Sequence, residues 1–116
     1  MDKMNIKHEG QIAIIEPQQR RIDASFSSRF REDIEGLIER GHKKVVLNMK
    51  HVEFVDSSGL GAVMSIKRLM KQLGSNQSLV LCHMSDVVWN VFKLAQIDKM
   101  FTVCLTEEEA IARLNM

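Results

Sequence analysis

The spacing of apolar residues along this chain changes several times, and each change marks an element. Ile6 and His8, then Ile12, Ile14 and Ile15, flank His8-Glu9-Gly10-Gln11. That pattern predicts a β-hairpin with Gly10 in the turn, and Pro17 ends its second strand. Phe26, Phe30, Ile34, Leu37 and Ile38 recur at helical spacing, which predicts a helix over about residues 24–40 with one buried stripe. Asp23 or Ser25 is placed to cap its start, and Gly41 suits a left-handed end. Lys44-Val45-Val46-Leu47-Asn48-Met49 is a short continuous apolar run, as a central strand covered on both faces requires.

Loop residues lead from that strand to Asp56, and a second helix is expected from about Ser58 to Leu73. Val63, Ile66, Met70 and Leu73 form its inner stripe, with Ala62 and Leu69 beside it. Lys67, Arg68 and Lys71 complement the helix dipole in its last turns, and Gly74 ends it. Ser78 to Cys82 reads as a strand. Ser85 caps a third helix with core positions Val88, Val91, Phe92 and Ala95, and Phe101 to Leu105 reads as the last strand. Thr106-Glu107-Glu108-Glu109 is a capping box for a short final helix through Leu114. The order β-β-α-β-α-β-α-β-α places the chain in the α/β class. It predicts a mostly parallel sheet of roughly four to five strands, an antiparallel N-terminal strand and about four helices.

Composition narrows the function more than the fold. A length of 116 residues suits one domain spanning 1–116, and 45% hydrophobic with 27% charged residues is ordinary for a globular chain. A formal charge of +1 offers no global attraction to nucleic acid or to an anionic membrane. No apolar run approaches the roughly 20 residues of a membrane span, and the N-terminus lacks a signal-peptide core, so the expected location is the cytoplasm. Cys82 and Cys104 both lie in apolar runs and read as reduced core residues. His8, His42, His51 and His83 lack metal-ligand spacing, no Gly-Lys-Ser/Thr follows Gly59-Leu60-Gly61, and no cofactor is expected.

The run Phe54-Val55-Asp56-Ser57-Ser58-Gly59-Leu60-Gly61 carries the chemistry. It stands where strand and loop give way to the second helix, and a helix N-terminus favours negative charge. Phosphorylation of a hydroxyl there adds about −1.5 to −2 charges. The N–H groups of Gly59, Leu60 and Gly61 are placed to receive that charge, and Gly59 and Gly61 leave room for a partner's backbone. Ordinary helix capping by Asp56 or Ser58 is compatible with modification of Ser57. A hydrolase nucleophile at Ser57 is the enzyme alternative. It needs a base and an orienting carboxylate, there is no Gly-x-Ser-x-Gly elbow, and nothing selects His51.

The Asp56-Ser57-Ser58-Gly59-Leu60-Gly61 run after its strand resembles the signature of STAS domains, and nearly the whole chain resembles the single-domain anti-sigma factor antagonists among them. The hairpin start, the Ile22-Asp23 pair and Ser85…Val88…Phe92…Ile97 fall in register with that family. The resemblance implies a monomer that is not an enzyme. It implies binding to an anti-sigma factor serine kinase, through the partner's ATPase-type kinase domain, and release when that kinase phosphorylates the first serine after the aspartate. A metal-dependent serine phosphatase would reset it. The resemblance makes Ser57 the phosphoacceptor and Asp23, Asp56, Ser58, Gly59, Leu60 and Gly61 its neighbours. Arg20-Arg21 stands where the family usually carries glycine, which changes the rim of the docking surface. Trp89 lies about 100° from Val88 around the third helix, off the core stripe, and is a further candidate contact. The alternative within the same family is an unphosphorylated scaffold subunit of a transport, secretion or biofilm regulatory complex.

Overall fold

Along the chain the elements are β1 (Met4–Glu9), β2 (Ile12–Pro17), β3 (Arg21–Ile22), α1 (Ser27–Glu39), β4 (Lys44–Asn48), β5 (Phe54–Val55), α2 (Ser57–Leu73), β6 (Ser78–Cys82), α3 (Asp86–Leu94), a 3-10 turn at Asp98–Met100, β7 (Thr102–Cys104) and α4 (Glu107–Leu114). They come from a computed structural model that describes residues 4–74 and 77–116. The predicted hairpin forms between β1 and β2, and Gly10 takes φ +60° in its turn, a conformation that favours glycine. The main sheet runs β1-β2-β4-β6-β7, with only the β1–β2 pair antiparallel.

The continuous apolar run of β4 follows from its central place. Ile15, Val45, Leu47, Leu79 and Leu81 face one side, where residues of α1, α2 and α3 such as Phe30, Ile66 and Phe92 bury them. Ile12, Ile14, Val46, Val80 and Cys82 face the other side, against Ala110 and Leu114 of α4. Both cysteines are free. Cys82 is buried, which pushes its thiol up to about 12, and Cys104 is only half-buried beside it on β7.

A polar cluster ties α4 to the sheet. Asn48 is buried, its Nδ2 donates to Glu107 Oε1 at 2.9 Å, and its Oδ1 accepts from the Lys50 N–H. Lys7 Nζ from β1 reaches Glu107 Oε2 at 3.0 Å. Burial pushes the Glu107 carboxyl up, but the Asn48 amide and the Lys7 ammonium more than offset this and leave it below its ordinary range. The start of α4 is capped as a variant of the expected box. Thr106 Oγ1 accepts from the Glu109 N–H, whereas the Glu109 carboxylate accepts from Leu105, one residue before Thr106.

Several boundaries differ from expectation. α1 begins at Ser27, and neither Asp23 nor Ser25 caps it. Asp23 Oδ1 instead accepts from the Ser25 N–H and hydroxyl, which closes a turn one step before the helix. Gly41 does close α1, at φ +106°. The Gly41 N–H donates to the Ile38 carbonyl and the His42 N–H to the Leu37 carbonyl, a Schellman pair. Leu73 lies in the last turn of α2, past buried Met70, and is half-exposed. Val91 is half-buried and Ala95, the C-cap of α3, is exposed, so the core stripe of that helix is Val88 and Phe92. The last strand is shorter than Phe101–Leu105, because Phe101 turns into the core and Leu105 out to solvent.

One element escaped the pattern altogether. β3 and β5 form a separate two-stranded parallel ribbon, Arg21 beside Phe54 and Ile22 beside Val55. It is sealed by the Arg20 carbonyl, which accepts from the N–H groups of Glu53 at 2.6 Å and Phe54 at 3.1 Å. This ribbon positions the functional corner.

Candidate functional site

The ribbon delivers its two strands side by side to the start of α2. The Asp56 N–H donates to the Ile22 carbonyl at 3.4 Å, so the chain leaves β5 held against β3. Asp56 is extended (φ −97°, ψ −172°) and is the N-cap of α2. Its Oδ1 accepts from the Gly59 N–H at 3.0 Å and from the Ser58 hydroxyl at 2.6 Å, and its carbonyl accepts from the Leu60 N–H at 2.9 Å. The Ser58 hydroxyl, then the Gly59 N–H, hold the Asp56 carboxyl below its usual range, so it is ionised at neutral pH.

Ser57 is the first residue of α2 and is exposed. Its hydroxyl makes no hydrogen bond among the described residues, unlike its neighbour Ser58, which is half-buried and committed to Asp56. The two serines therefore divide the work: one fastens the corner and the other faces solvent.

Two of the three N–H groups expected to receive a charge on Ser57 are already engaged. The Gly59 N–H belongs to the Asp56 side chain and the Leu60 N–H to the Asp56 carbonyl. Asp56 has taken the donors that a phosphate would otherwise use, and it adds a carboxylate at the same spot. The glycines also differ from expectation. Gly59 is buried, and a Cβ there would lie 2.2 Å from the Ile22 carbonyl oxygen and 2.7 Å from Val55 Cγ1. Its missing side chain admits the ribbon, not a partner. Gly61 is exposed with open space around it, and only this glycine leaves room outside.

The ribbon brings Asp23 to the same rim. The Ser25 hydroxyl holds the Asp23 carboxyl below its usual range, with help from the Ser25 N–H and Arg21. Arg21 Nε stands 3.5 Å from Asp23 Oδ2, and its guanidinium lies over the Phe54 ring at 4.4 Å. Arg20 is exposed beside it. Trp89 is half-buried, stacked at 6.2 Å on Phe92 and packed against the main core, on the helix that lies along β5. His51 is engaged elsewhere, with Nε2 at 2.7 Å from Glu16 Oε2. Among the described residues no group of three or more His, Cys, Asp or Glu is placed to hold a metal ion, and no helix is long and apolar enough to cross a membrane. Phe54 stood in the singled-out run, but its place under the Arg21 guanidinium and the role of the Ile22 carbonyl are what sequence reasoning missed. The only signal for them was the apolar pair Phe54-Val55 within an expected loop.

A mixed five-stranded sheet with an exposed hydroxyl on a capped strand-to-helix corner defines a small α/β domain whose chemistry lies at its surface. The chain belongs to the STAS domain family, whose model matches residues 3–110. The anti-sigma F factor antagonist of Paenibacillus polymyxa is 25% identical over 96 residues, which cover 82% of this chain and 80% of that protein. The solved structure of an anti-sigma-factor antagonist (STAS) domain protein from Planctomyces limnophilus matches with TM-score 0.85 at 19% identity, over 97% of this chain and 98% of that one. The anti-sigma factor antagonist SpoIIAA in its unphosphorylated form matches with TM-score 0.80 at 24% identity, over 97% and 96% of the two chains. The phosphorylated form of Bacillus SpoIIAA matches with TM-score 0.72 at 23% identity, over 96% and 98%.

Proposed function

We propose that this domain is a phosphorylation-controlled anti-sigma factor antagonist. With a free Ser57 hydroxyl it binds a kinase-type anti-sigma factor, and with a phosphoryl group on Ser57 it lets go. The observation that carries this reading is the Ser57 hydroxyl itself, exposed and without a partner among the described residues, beside an ionised Asp56. A kinase can reach it, and the N–H groups of Gly59 and Leu60 at the helix start are already spent on Asp56. The relatives support the direction: SpoIIAA bears the name anti-sigma factor antagonist and is known both with and without its phosphoryl group.

The energetics suit a switch that does not refold the domain. Turning a pair from mostly bound to mostly free takes about 5.5 kcal/mol of differential affinity. Removing an unpaired charge from water costs several kcal/mol, and a phosphoserine dianion pressed into a contact shaped for a hydroxyl meets that cost. The occupied N–H groups of Gly59 and Leu60 deny the dianion two donors of the helix start, and the carboxylate of Asp56 repels it. In this scheme the chain is the substrate of a serine kinase that uses ATP, a metal-dependent serine phosphatase restores the hydroxyl, and the domain itself catalyses nothing.

The test is mass spectrometry of the chain after incubation with the candidate anti-sigma factor kinase and ATP, with binding measured before and after. The expected result is one phosphoryl group on Ser57 and release from the kinase. Phosphorylation confined to another residue, or undiminished binding of the phosphorylated chain, refutes the proposal.

A further inference from the structure

Beside the Ser57 corner lies a concavity of about 400 Å³ whose polar lining is Gln18, Gln19, Arg20, Arg21, Asp23 and Ser25, with Phe26 at its base. Its one carboxylate is already engaged, with Oδ1 of Asp23 on Ser25 and Oδ2 on Arg21 Nε. The two guanidiniums are held differently. Arg21 is fixed over the Phe54 ring and uses only Nε toward Asp23, so its two terminal nitrogens are free to grip a further carboxylate as a fork. Arg20 has no ion-pair partner among the described residues. Its backbone is nevertheless pinned, because its carbonyl accepts from both Glu53 and Phe54. A stiff concavity with one paired acid and two cations, one of them uncommitted, is complementary to negative charge.

We infer that this concavity receives an acidic segment of the protein that docks on Ser57, with Arg20 and Arg21 pairing with carboxylates of that segment. The inference rests on the proposed function for the identity of the docking protein and adds the chemistry of its contact. Because Arg21 occupies Asp23, a partner meets cations here and not a free aspartate. Complementary charge of this kind acts mainly on the rate of association and is weakened by salt.

Two measurements test it. In the first, hexaglutamate is titrated into the isotope-labelled chain at about 50 mM salt, where screening is modest, and the arginine Nε–Hε signals are followed by NMR. The expected result is a saturable shift of the Arg20 and Arg21 signals that Arg20→Glu/Arg21→Glu abolishes and hexalysine does not produce. No shift at either arginine overturns the inference, as does tighter binding of oligothymidylate than of hexaglutamate at the same residues. In the second, association with the kinase that modifies Ser57 is timed. Arg20→Glu/Arg21→Glu is expected to slow it about tenfold at low salt, while Arg29→Glu/Arg40→Glu, an equal change of net charge on and just past the exposed side of α1, leaves it near the unmodified rate. Equal slowing by both pairs, or an unchanged rate in the first, overturns the inference and leaves the Ser57 switch standing. If no kinase modifies Ser57, the switch falls, and the hexaglutamate titration still decides the chemistry of the concavity.

Discussion

Replacing Gly59 with alanine tests the corner most directly. The new Cβ would stand 2.2 Å from the Ile22 carbonyl oxygen and 2.7 Å from Val55 Cγ1. An ordinary C···O contact is about 3.3 Å, so the carbonyl must retreat by about 1 Å. Neither neighbour yields easily: Ile22 and Val55 are both buried, and the Ile22 carbonyl also accepts the Asp56 N–H at 3.4 Å. Forcing one methyl group into a packed site costs about 1–3 kcal/mol, and the backbone contact places this case at the upper end. Gly61, two residues on, is exposed, and a methyl group added there would meet nothing within 4 Å, so Gly61→Ala gains about 0.5–1 kcal/mol from helix propensity alone. The two variants therefore differ by about 3–4 kcal/mol in opposite directions. With a urea dependence of about 1–3 kcal/mol/M, their unfolding midpoints separate by roughly 2 M, with the unmodified chain between them. Coincident midpoints, or a Gly59→Ala protein as stable as its parent, would refute the argument that the ribbon rests on a bare backbone.

Three further outcomes are expected. Ser57→Asp should weaken binding to the anti-sigma factor kinase by about tenfold or more, since one carboxylate supplies part of the charge of a dianion, whereas Ser57→Ala should keep binding and block phosphorylation; calorimetry on both variants decides. The Glu107 carboxyl titrates below its ordinary range when folded and near 4.3 when unfolded, so its contribution to stability is present above about pH 4.3 and is lost as pH falls through the folded value. Denaturation midpoints of the parent and Glu107→Gln should accordingly converge on acidification, and a gap that is constant with pH contradicts this. Trp89→Ala should weaken kinase binding, and fluorescence from this single tryptophan should change when the kinase docks; an unchanged affinity removes Trp89 from the contact.

Much of this was legible because the period of apolar residues changes where the backbone does. The hairpin, the β4 run and the stripes of α1 and α2 each bury residues at a spacing that only one kind of element satisfies. The placement of Ser57 followed from the same pattern, together with a capping aspartate. The β3–β5 ribbon was not legible, because two residues per strand are too few to show alternation and the pairing joins Arg21-Ile22 to Phe54-Val55 across the whole of α1 and β4. The start of α1 was misplaced for a related reason: Asp23 had two local uses for its side chain, a helix cap or a turn with Ser25, and only the position of the ribbon selects the turn. The roles of Gly59 and of its N–H were hidden likewise, since the need for a glycine came from a strand more than thirty residues upstream.

That dependence has a consequence for what a modifying enzyme can read. The ribbon strand that ends at Ile22 packs against Gly59, so the surface around Ser57 is assembled from two distant segments and has no counterpart in a linear peptide. An unfolded or half-made copy carries every letter of the message and none of its shape. Under the proposed function, signalling through this corner excludes immature chains from the pool that competes for the partner, and the level of the signal tracks the number of finished domains.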